Sequence, residues 1–210
     1  MSDECGLRSL GNRSILGDPR RADTQKTLDL KINYREGFRP FAPSVLAEEC
    51  STYFDLEEAS PYMLLVAPVA ESRRTAVAES RGAPAVESLR EPLPADRHQG
   101  LLERLYQPRS DVPAITHVDY SARIQTVHRE TNERYWKLIK AFKDRTGCGL
   151  VVNTSFNVRG EPIVCTPDDA YRCFMRTEMD YLVVENWLFA KTEQPPWAET
   201  DDWASDFTLD

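Results

Sequence analysis

The sequence has few groups that could form disulfides or bind metal ions. Its five cysteines are odd in number and include no Cys-x-x-Cys pair, which is typical of free thiols in a reducing cytoplasm. Its three histidines do not stand at metal-ligand spacing to any cysteine pair. These absences argue against a disulfide-stabilised secreted domain and against a zinc module. They predict a cytoplasmic protein with no metal site of its own.

The sequence also lacks the features of membrane and exported proteins. No apolar stretch approaches the roughly 20 residues that a membrane-spanning helix needs. The N-terminal residues contain no basic region followed by an apolar run, so a signal peptide is not predicted. We therefore expect no membrane partner.

Positive charge is in deficit overall but is concentrated near the N-terminus. The chain carries 26 basic and 34 acidic side chains, a formal net charge of −8, which argues against nucleic-acid binding. Basic residues nevertheless cluster within residues 8–39, whereas acidic residues collect after position 193. A local basic cluster in an acidic protein favours a small phosphorylated ligand over a polymer.

Motifs of common nucleotide sites and nucleophiles are absent as well. The sequence contains no Gly-x-x-x-x-Gly-Lys-Ser/Thr, no Gly-x-Gly-x-x-Gly and no Gly-x-Ser-x-Gly. Any nucleotide would be held by side chains and isolated backbone groups, and no side chain is predicted to be a catalytic nucleophile. His117 beside Asp119 could act as a base, although an ordinary histidine on a strand is the simpler explanation.

The periodicity of apolar residues predicts both helices and strands, and hence an α/β (α+β) fold. We expect one domain over residues 1–192, with a mobile insertion at 70–112, where large apolar residues are scarce, and an acidic tail at 193–210. Strands are predicted at 63–67, 114–118, 123–127, 150–154, 181–184 and 187–189, and helices at 20–33, 48–54, 133–146 and from 167 onward.

A run of polar side chains follows the predicted strand at 150–154. Asn153, Ser155, Asn157 and Arg159 alternate along the chain, so in an extended segment all four would project to one face. Amide, hydroxyl and guanidinium groups at a strand end are suited to hold an anion or a nucleotide. A polar edge strand followed by a turn explains the pattern equally well.

Two further groups of residues could bind a ligand. Lys31, Arg35 and Arg39 are four residues apart, and cations this close repel one another unless an anion lies between them. A basic helix face paired with local acidic residues is the alternative. Arg123 and Gln125 share one face of a predicted strand and could contact a phosphate or a nucleobase edge, although an ordinary half-exposed strand is the simpler explanation.

Six ordered segments carry a family resemblance. They are residues 6–20, 31–45, 60–63, 115–119, 123–127 and 153–164, the last reading Asn-Thr-Ser-Phe-Asn-Val-Arg-Gly-Glu-Pro-Ile-Val. Together they resemble the C-terminal region of the bacterial O-carbamoyltransferases of nodulation factors and antibiotic tailoring. The resemblance covers most of residues 6–190.

The resemblance implies a YrdC-like fold, which has a twisted mixed sheet, flanking helices and a basic concave face. It also implies binding of ATP, with a metal ion such as magnesium, and of carbamoyl phosphate, to form carbamoyl-adenylate with release of pyrophosphate. The residues that the resemblance assigns to these ligands are Lys31, Arg35, Arg39, Arg123, Asn153, Ser155 and Arg159, with Gln125 and Asn157 as further pocket members.

In the family, an N-terminal domain of actin-like ATPase fold carries an iron held by histidine and aspartate, and it moves the carbamoyl group to a substrate hydroxyl. We expect this protein to lack that domain, and its junction at 6–11 reads Gly-Leu-Arg-Ser-Leu-Gly where the family has Gly-Pro-Arg-Ala-Leu-Gly. We therefore expect no iron or acceptor site here, and a separate metal-binding transfer domain as partner. The alternatives are a non-catalytic nucleotide-binding or scaffolding module and a truncated carbamoyltransferase fragment.

Overall fold

The computed structural model describes residues 9–28, 41–75, 107–158 and 160–197. None of the helices within these ranges combines the length and the apolar character needed to span a bilayer.

Five strands form one mixed sheet, in the order β1-β5-β2-β4-β3. The central pair β2 and β4 is parallel, whereas the β1–β5, β5–β2 and β3–β4 pairs are antiparallel. A separate antiparallel hairpin joins β6 and β7. The strands are β1 (Ser14–Gly17), β2 (Ala42–Leu46), β3 (Leu65–Pro68), β4 (Ser121–Val127), β5 (Leu150–Ser155), β6 (Tyr181–Val184) and β7 (Trp187–Ala190).

The helices begin and end where local side chains satisfy the free backbone groups of their termini. Asn132 accepts a hydrogen bond from the backbone of Tyr135 at the start of α3, and Gly147 ends that helix with a φ of 77°. Thr166 forms a reciprocal capping box with Asp169 at the start of α4. The helices are α1 (Ala22–Thr27), α2 (Cys50–Tyr53), α3 (Glu133–Thr146) and α4 (Pro167–Arg176). Mixed strands with flanking helices confirm the predicted α/β (α+β) class.

The two faces of the sheet pack differently, because alternate residues of each strand point to opposite sides. One face contributes Val45, Leu150 and Val152 to the larger core, which also contains Phe174 of α4. The opposite face, here called the α3 face, is only partly apolar. At one end its side chains pack under Tyr135 and Ile139 of α3, and these side chains are Leu46, Val127 and Val151. Further along, the α3 face carries the polar side chains of Ser44, Gln125 and Asn153.

Three strand predictions need correction. Residues 114–118 are not a strand: Pro113–Ile115 is a 3-10 turn, and the His117 backbone N–H then bonds the Ser121 carbonyl at 2.8 Å in a tight turn. The strand predicted at 63–67 is Leu65–Pro68, and it lies at the sheet edge rather than in the core, with Val66 58% exposed. The segment 14–17, which is not among the predicted strands, is β1, because it pairs with β5 along its whole length.

The helices predicted at 20–33 and 48–54 also differ in their bounds from those observed. The first begins at Ala22 rather than directly after Pro19, and its predicted end lies outside the described residues. The second divides into a 3-10 turn, Ala47–Glu49, and the single helical turn of α2. The helix at 133–146 and the strands at 123–127, 150–154 and 181–184 are confirmed within one or two residues.

The two ends of the predicted insertion at 70–112 pair with each other. Arg74 and Ser110 form an isolated β-bridge, and the Thr75 backbone N–H donates to the Arg109 carbonyl at 2.8 Å. Arg73 reinforces the junction through an ion pair with Asp111, at 2.6 Å. Both ends therefore belong to the ordered domain. Residues 76–106, on which the prediction of a mobile segment rests, lie outside the described residues.

Candidate functional site

Three buried polar side chains from three adjacent strands meet on the α3 face. Ser44 of β2 lies opposite Gln125 of β4, and Asn153 of β5 lies opposite Ala42, two residues before Ser44 on β2. The Ser44 hydroxyl donates to Gln125 Oε1 at 2.6 Å, and Asn153 Nδ2 donates to Ser44 Oγ and Gln125 Oε1, both at 2.9 Å. Because burial of unpaired polar groups is costly, this network fixes all three side chains in one arrangement.

Two backbone carbonyls of the N-terminal segment fix the orientation of both amides. Gln125 Nε2 donates to the Leu10 carbonyl at 3.0 Å, so its oxygen must face Ser44 and Asn153. Asn153 Nδ2 donates in turn to that oxygen and to the Ser9 carbonyl, at 3.2 Å. This leaves Asn153 Oδ1 turned away from the network. Among the described residues, no group donates a hydrogen bond to this buried oxygen.

The polar face continues past Asn153 to the end of β5. Ser155 is the last residue of the strand and pairs with Ser14 of β1, so its side chain lies on the same face as that of Asn153. The extended conformation then ends. Asn157 therefore does not continue this face as the alternation predicted: its Nδ2 donates to the carbonyls of Val158 at 3.1 Å and Glu161 at 2.8 Å. Asn157 thereby stabilises the loop after β5.

Arg123 brings a guanidinium group to the same side of the sheet. It precedes Gln125 by two residues on β4, so both side chains lie on the α3 face, and Arg123 is half-buried. The structure thus brings together four of the residues that the sequence predicted for the site, which are Arg123, Gln125, Asn153 and Ser155. The predicted residues Lys31, Arg35, Arg39 and Arg159 lie outside the described residues.

Sequence reasoning missed Ser44 and the backbone of residues 9–10. Ser44 stands in an otherwise apolar strand, Ala-Pro-Ser-Val-Leu, and is completely buried. A polar residue in the middle of such a buried strand is the signal that could have identified it, because it requires a buried partner. The Ser9 and Leu10 carbonyls carry no side-chain signal. Their role follows only from the path of the chain.

A tight turn before β4 places His117 close to the site. The Ser121 hydroxyl lies 3.3 Å from His117 Nδ1 and donates to Asp119 Oδ1 at 2.7 Å. Burial lowers the pKa of His117 below its usual value; the Asp119 carboxylate opposes this effect and the Arg123 guanidinium adds to it. Across the described ranges, no group of three or more His, Cys, Asp or Glu side chains could hold a metal ion.

The chain matches the family model for the Carbamoyltransferase C-terminus over residues 2–191. It belongs to this carbamoyltransferase C-terminus family. An uncharacterized protein of Synechocystis is 57% identical over 208 residues, which is 99% of this chain and 31% of the relative. Nodulation protein NolO of Bradyrhizobium diazoefficiens is 37% identical, over 96% of this chain and 30% of the relative. A 3'-hydroxymethylcephem-O-carbamoyltransferase of Amycolatopsis lactamdurans is 31% identical, over 88% of this chain and 28% of the relative.

The chain spans less than a third of the length of each of these curated relatives. The family membership confirms the resemblance drawn from the six sequence segments. The ligands and the reaction of this chain are matters for proposal and test.

Because the pKa of His117 is lowered in the folded chain, folding stability should depend on pH. In the window between its folded pKa and the unfolded value near 6.5, the unfolded chain binds more protons than the folded one. Folding stability therefore decreases as the pH is lowered from 6.5. We expect the thermal midpoint of the wild type to fall more between pH 7.5 and pH 5.5 than that of His117→Gln. Equal decreases, measured by differential scanning fluorimetry in matched buffers, would contradict the assignment.

Proposed function

We propose that this domain binds ATP and carbamoyl phosphate and forms carbamoyl-adenylate, which a separate domain then uses to carbamoylate an acceptor hydroxyl. Membership of the carbamoyltransferase C-terminus family supports this proposal. The observation that carries it is the gathering of Arg123, Gln125, Asn153 and Ser155 on one sheet face from two strands that are distant in sequence. Relatives whose names specify nodulation or cephem carbamoylation add support.

The chemistry suits a site without a side-chain nucleophile. Water first cleaves the linkage between the carbamoyl and phosphate groups of carbamoyl phosphate, which releases inorganic phosphate and leaves a carbamate. A carbamate oxygen then attacks the α-phosphorus of ATP. Pyrophosphate leaves with the electron pair of the bond to that phosphorus. Several negative charges meet in this step, and a fixed guanidinium such as Arg123 would stabilise them. Magnesium, carried in with ATP, would offset charge on the phosphate oxygens.

The direct test is release of pyrophosphate from ATP and magnesium by the purified chain, with and without carbamoyl phosphate. Release that depends on carbamoyl phosphate would support an adenylating enzyme and a separate transfer domain. ATP binding without any release, in a folded preparation, would favour a non-catalytic nucleotide-binding module. Absence of both, with a loss of solubility, would favour a fragment that needs the remainder of a longer chain.

We also propose a cytoplasmic location. The four cysteines within the described ranges are all free thiols, and three of them are buried. Burial raises the pKa of Cys173 to about 12 and keeps that thiol protonated. Free thiols fit a reducing compartment.

Ser155→Ala should lower pyrophosphate release about tenfold, because one hydrogen bond to a charged group is worth about 1.5–3 kcal/mol. We expect its free energy of unfolding to change by less than about 0.5 kcal/mol, since the side chain is only half-buried. Thr154→Val is a matched control, as it removes a hydroxyl from the opposite face of the same strand. Steady-state rates of pyrophosphate release are measured for both variants. If both substitutions lower the rate equally, Ser155 does not contact the ligand.

A further inference from the structure

Asn153 Oδ1, which receives no hydrogen bond from the described residues, can only accept one. Its residue is only 2% exposed, and its amide nitrogen is already engaged by Ser44, Gln125 and the Ser9 carbonyl. The amide cannot be rotated to exchange its two ends, because that would place Oδ1 against the Ser9 and Gln125 acceptor oxygens. What remains for a ligand is therefore an acceptor. An acceptor cannot hold a phosphate oxygen, which also only accepts.

The position of Asn153 within the sheet further limits which ligand could supply the hydrogen-bond donor. Asn153 lies opposite Ala42, and Ser155 follows it on the same face toward the strand end. On the other side of Ala42, β4 carries Arg123 on this face, so the guanidinium and the Asn153 amide stand on strands about 10 Å apart. On the intervening strand β2, the residue opposite Asn153 is Ala42, whose side chain is only a methyl group. A small ligand with an anionic end and an N–H₂ end suits that arrangement.

We propose that Asn153 Oδ1 accepts a hydrogen bond from the amino group of carbamoyl phosphate and so selects the carbamoyl group over other acyl groups. This inference rests on the proposed function and assigns one contact in it, between Asn153 Oδ1 and the amino group of the ligand. The neighbouring Arg123 and Ser155 serve the phosphate end, and Asn153 serves the nitrogen end. An acceptor shielded from water discriminates strongly, because a ligand that lacks the donor leaves it unpaired.

The network around Asn153 explains why its acceptor stays available. Ser44 and Gln125 hold the amide nitrogen, so Oδ1 cannot turn inward to find a protein donor. A hydrogen-bonded network that orients one acceptor costs little reorganisation when the ligand arrives. Ser44 and Gln125 act on the ligand only through Asn153 and are positioning residues in this scheme.

Acetyl phosphate provides the test, since it replaces the amino group by a methyl group and keeps the phosphate. Calorimetric titration of the wild-type chain, in the presence of magnesium and a non-hydrolysable ATP analogue, should show carbamoyl phosphate binding about tenfold or more tightly than acetyl phosphate. Asn153→Leu should reduce this ratio to about one. Ser44→Ala disturbs the same network but keeps the acceptor, and it should retain most of the ratio.

The outcomes separate the inference from the proposed function. Equal affinity of the wild type for both ligands overturns the inference and leaves the proposed function standing, whereas binding of neither ligand overturns both. Retention of the full ratio by Asn153→Leu also overturns the inference. If Asn153→Leu fails to fold, the wild-type ratio still decides. Nitrogen-edited NMR of ¹⁵N-carbamoyl phosphate on the wild type then gives a second readout: a downfield shift of one amino proton on binding supports the hydrogen bond, and unchanged shifts of both protons contradict it.

The amino group of adenine could donate the same hydrogen bond to Asn153. Binding of ATP alone distinguishes this ligand from carbamoyl phosphate. If adenine were the ligand of Asn153, Asn153→Leu would weaken ATP binding in the absence of carbamoyl phosphate and would leave GTP binding unchanged. We expect instead that the affinity for ATP alone changes less than about twofold. A selective loss of ATP affinity overturns the assignment to the carbamoyl group.

Discussion

Gly11→Ala is expected to destabilise the domain by about 3 kcal/mol, which is a large fraction of the stability of an ordinary domain. A Cβ at this position would lie 2.2 Å from the ring of Tyr135, which is itself buried under the sheet. The backbone φ of Gly11 is 112°, a conformation that side chains disfavour. Neither problem relaxes locally, because the segment at 9–10 is bonded to Gln125 and Asn153.

Gly147→Ala is the matched control for this prediction. Gly147 also has a positive φ, of 77°, but a Cβ added there meets no atom of the described residues within 4 Å. The control therefore isolates the cost of the backbone conformation, which is about 1 kcal/mol. Urea titration of both variants gives the two free energies of unfolding. If Gly11→Ala costs no more than Gly147→Ala, the contact between Gly11 and Tyr135 is not tight.

The effect of Gly11→Ala should extend to the candidate site. The Leu10 and Ser9 carbonyls orient both amides of the buried network, so displacement of this segment removes acceptors from Gln125 and Asn153. We expect any carbamoyl phosphate binding to weaken along with stability. Gly147 lies at the far end of α3, where its backbone N–H donates to the Lys143 carbonyl rather than to a group of this network.

Local signals in the sequence were sufficient for the helices and for strands with nearby partners. Asn132, Gly147 and Thr166 cap their helices through groups within three or four residues, so their roles can be deduced from sequence alone. The hairpin of β6 and β7 is local for the same reason. β1 was missed because four residues within a glycine-rich segment become a strand only by pairing with β5, about 140 positions away.

In the candidate site, too, some residues could be placed from local sequence patterns and others only from contacts between distant segments. The alternation of Asn153 and Ser155 along a strand is a local pattern, and it correctly placed both side chains on one face. Asn157 broke the pattern because its amide bonds two backbone carbonyls of the following loop. No local pattern could show that Gln125 and Asn153 would bond each other, since their strands are separated by β2 in the sheet.

Gln125→Leu is expected to cost about 3 kcal/mol of folding free energy, although the new side chain has a similar volume and suits a buried strand. Gln125 is 4% exposed and bonds three groups, which are the Leu10 carbonyl, the Ser44 hydroxyl and the Asn153 amide. Its removal leaves the Leu10 carbonyl without its side-chain donor and the Ser44 hydroxyl without its acceptor. An unsatisfied buried group costs about 1–3 kcal/mol, and these losses are only partly additive.

Ser44→Ala tests whether the cost of Gln125→Leu comes from disruption of the network or from the loss of any one polar group. Without the Ser44 hydroxyl, Gln125 Oε1 still accepts from Asn153, and Asn153 Nδ2 still reaches the Ser9 carbonyl. Every remaining group therefore keeps a partner, and we expect a cost of about 1 kcal/mol. Urea denaturation with unchanged m-values provides the comparison. Equal costs for the two variants would show that Gln125 does not occupy the centre of the network. A threefold difference would identify Gln125 as the residue that joins the N-terminal segment to the sheet, and with it the residue on which the orientation of the Asn153 acceptor depends.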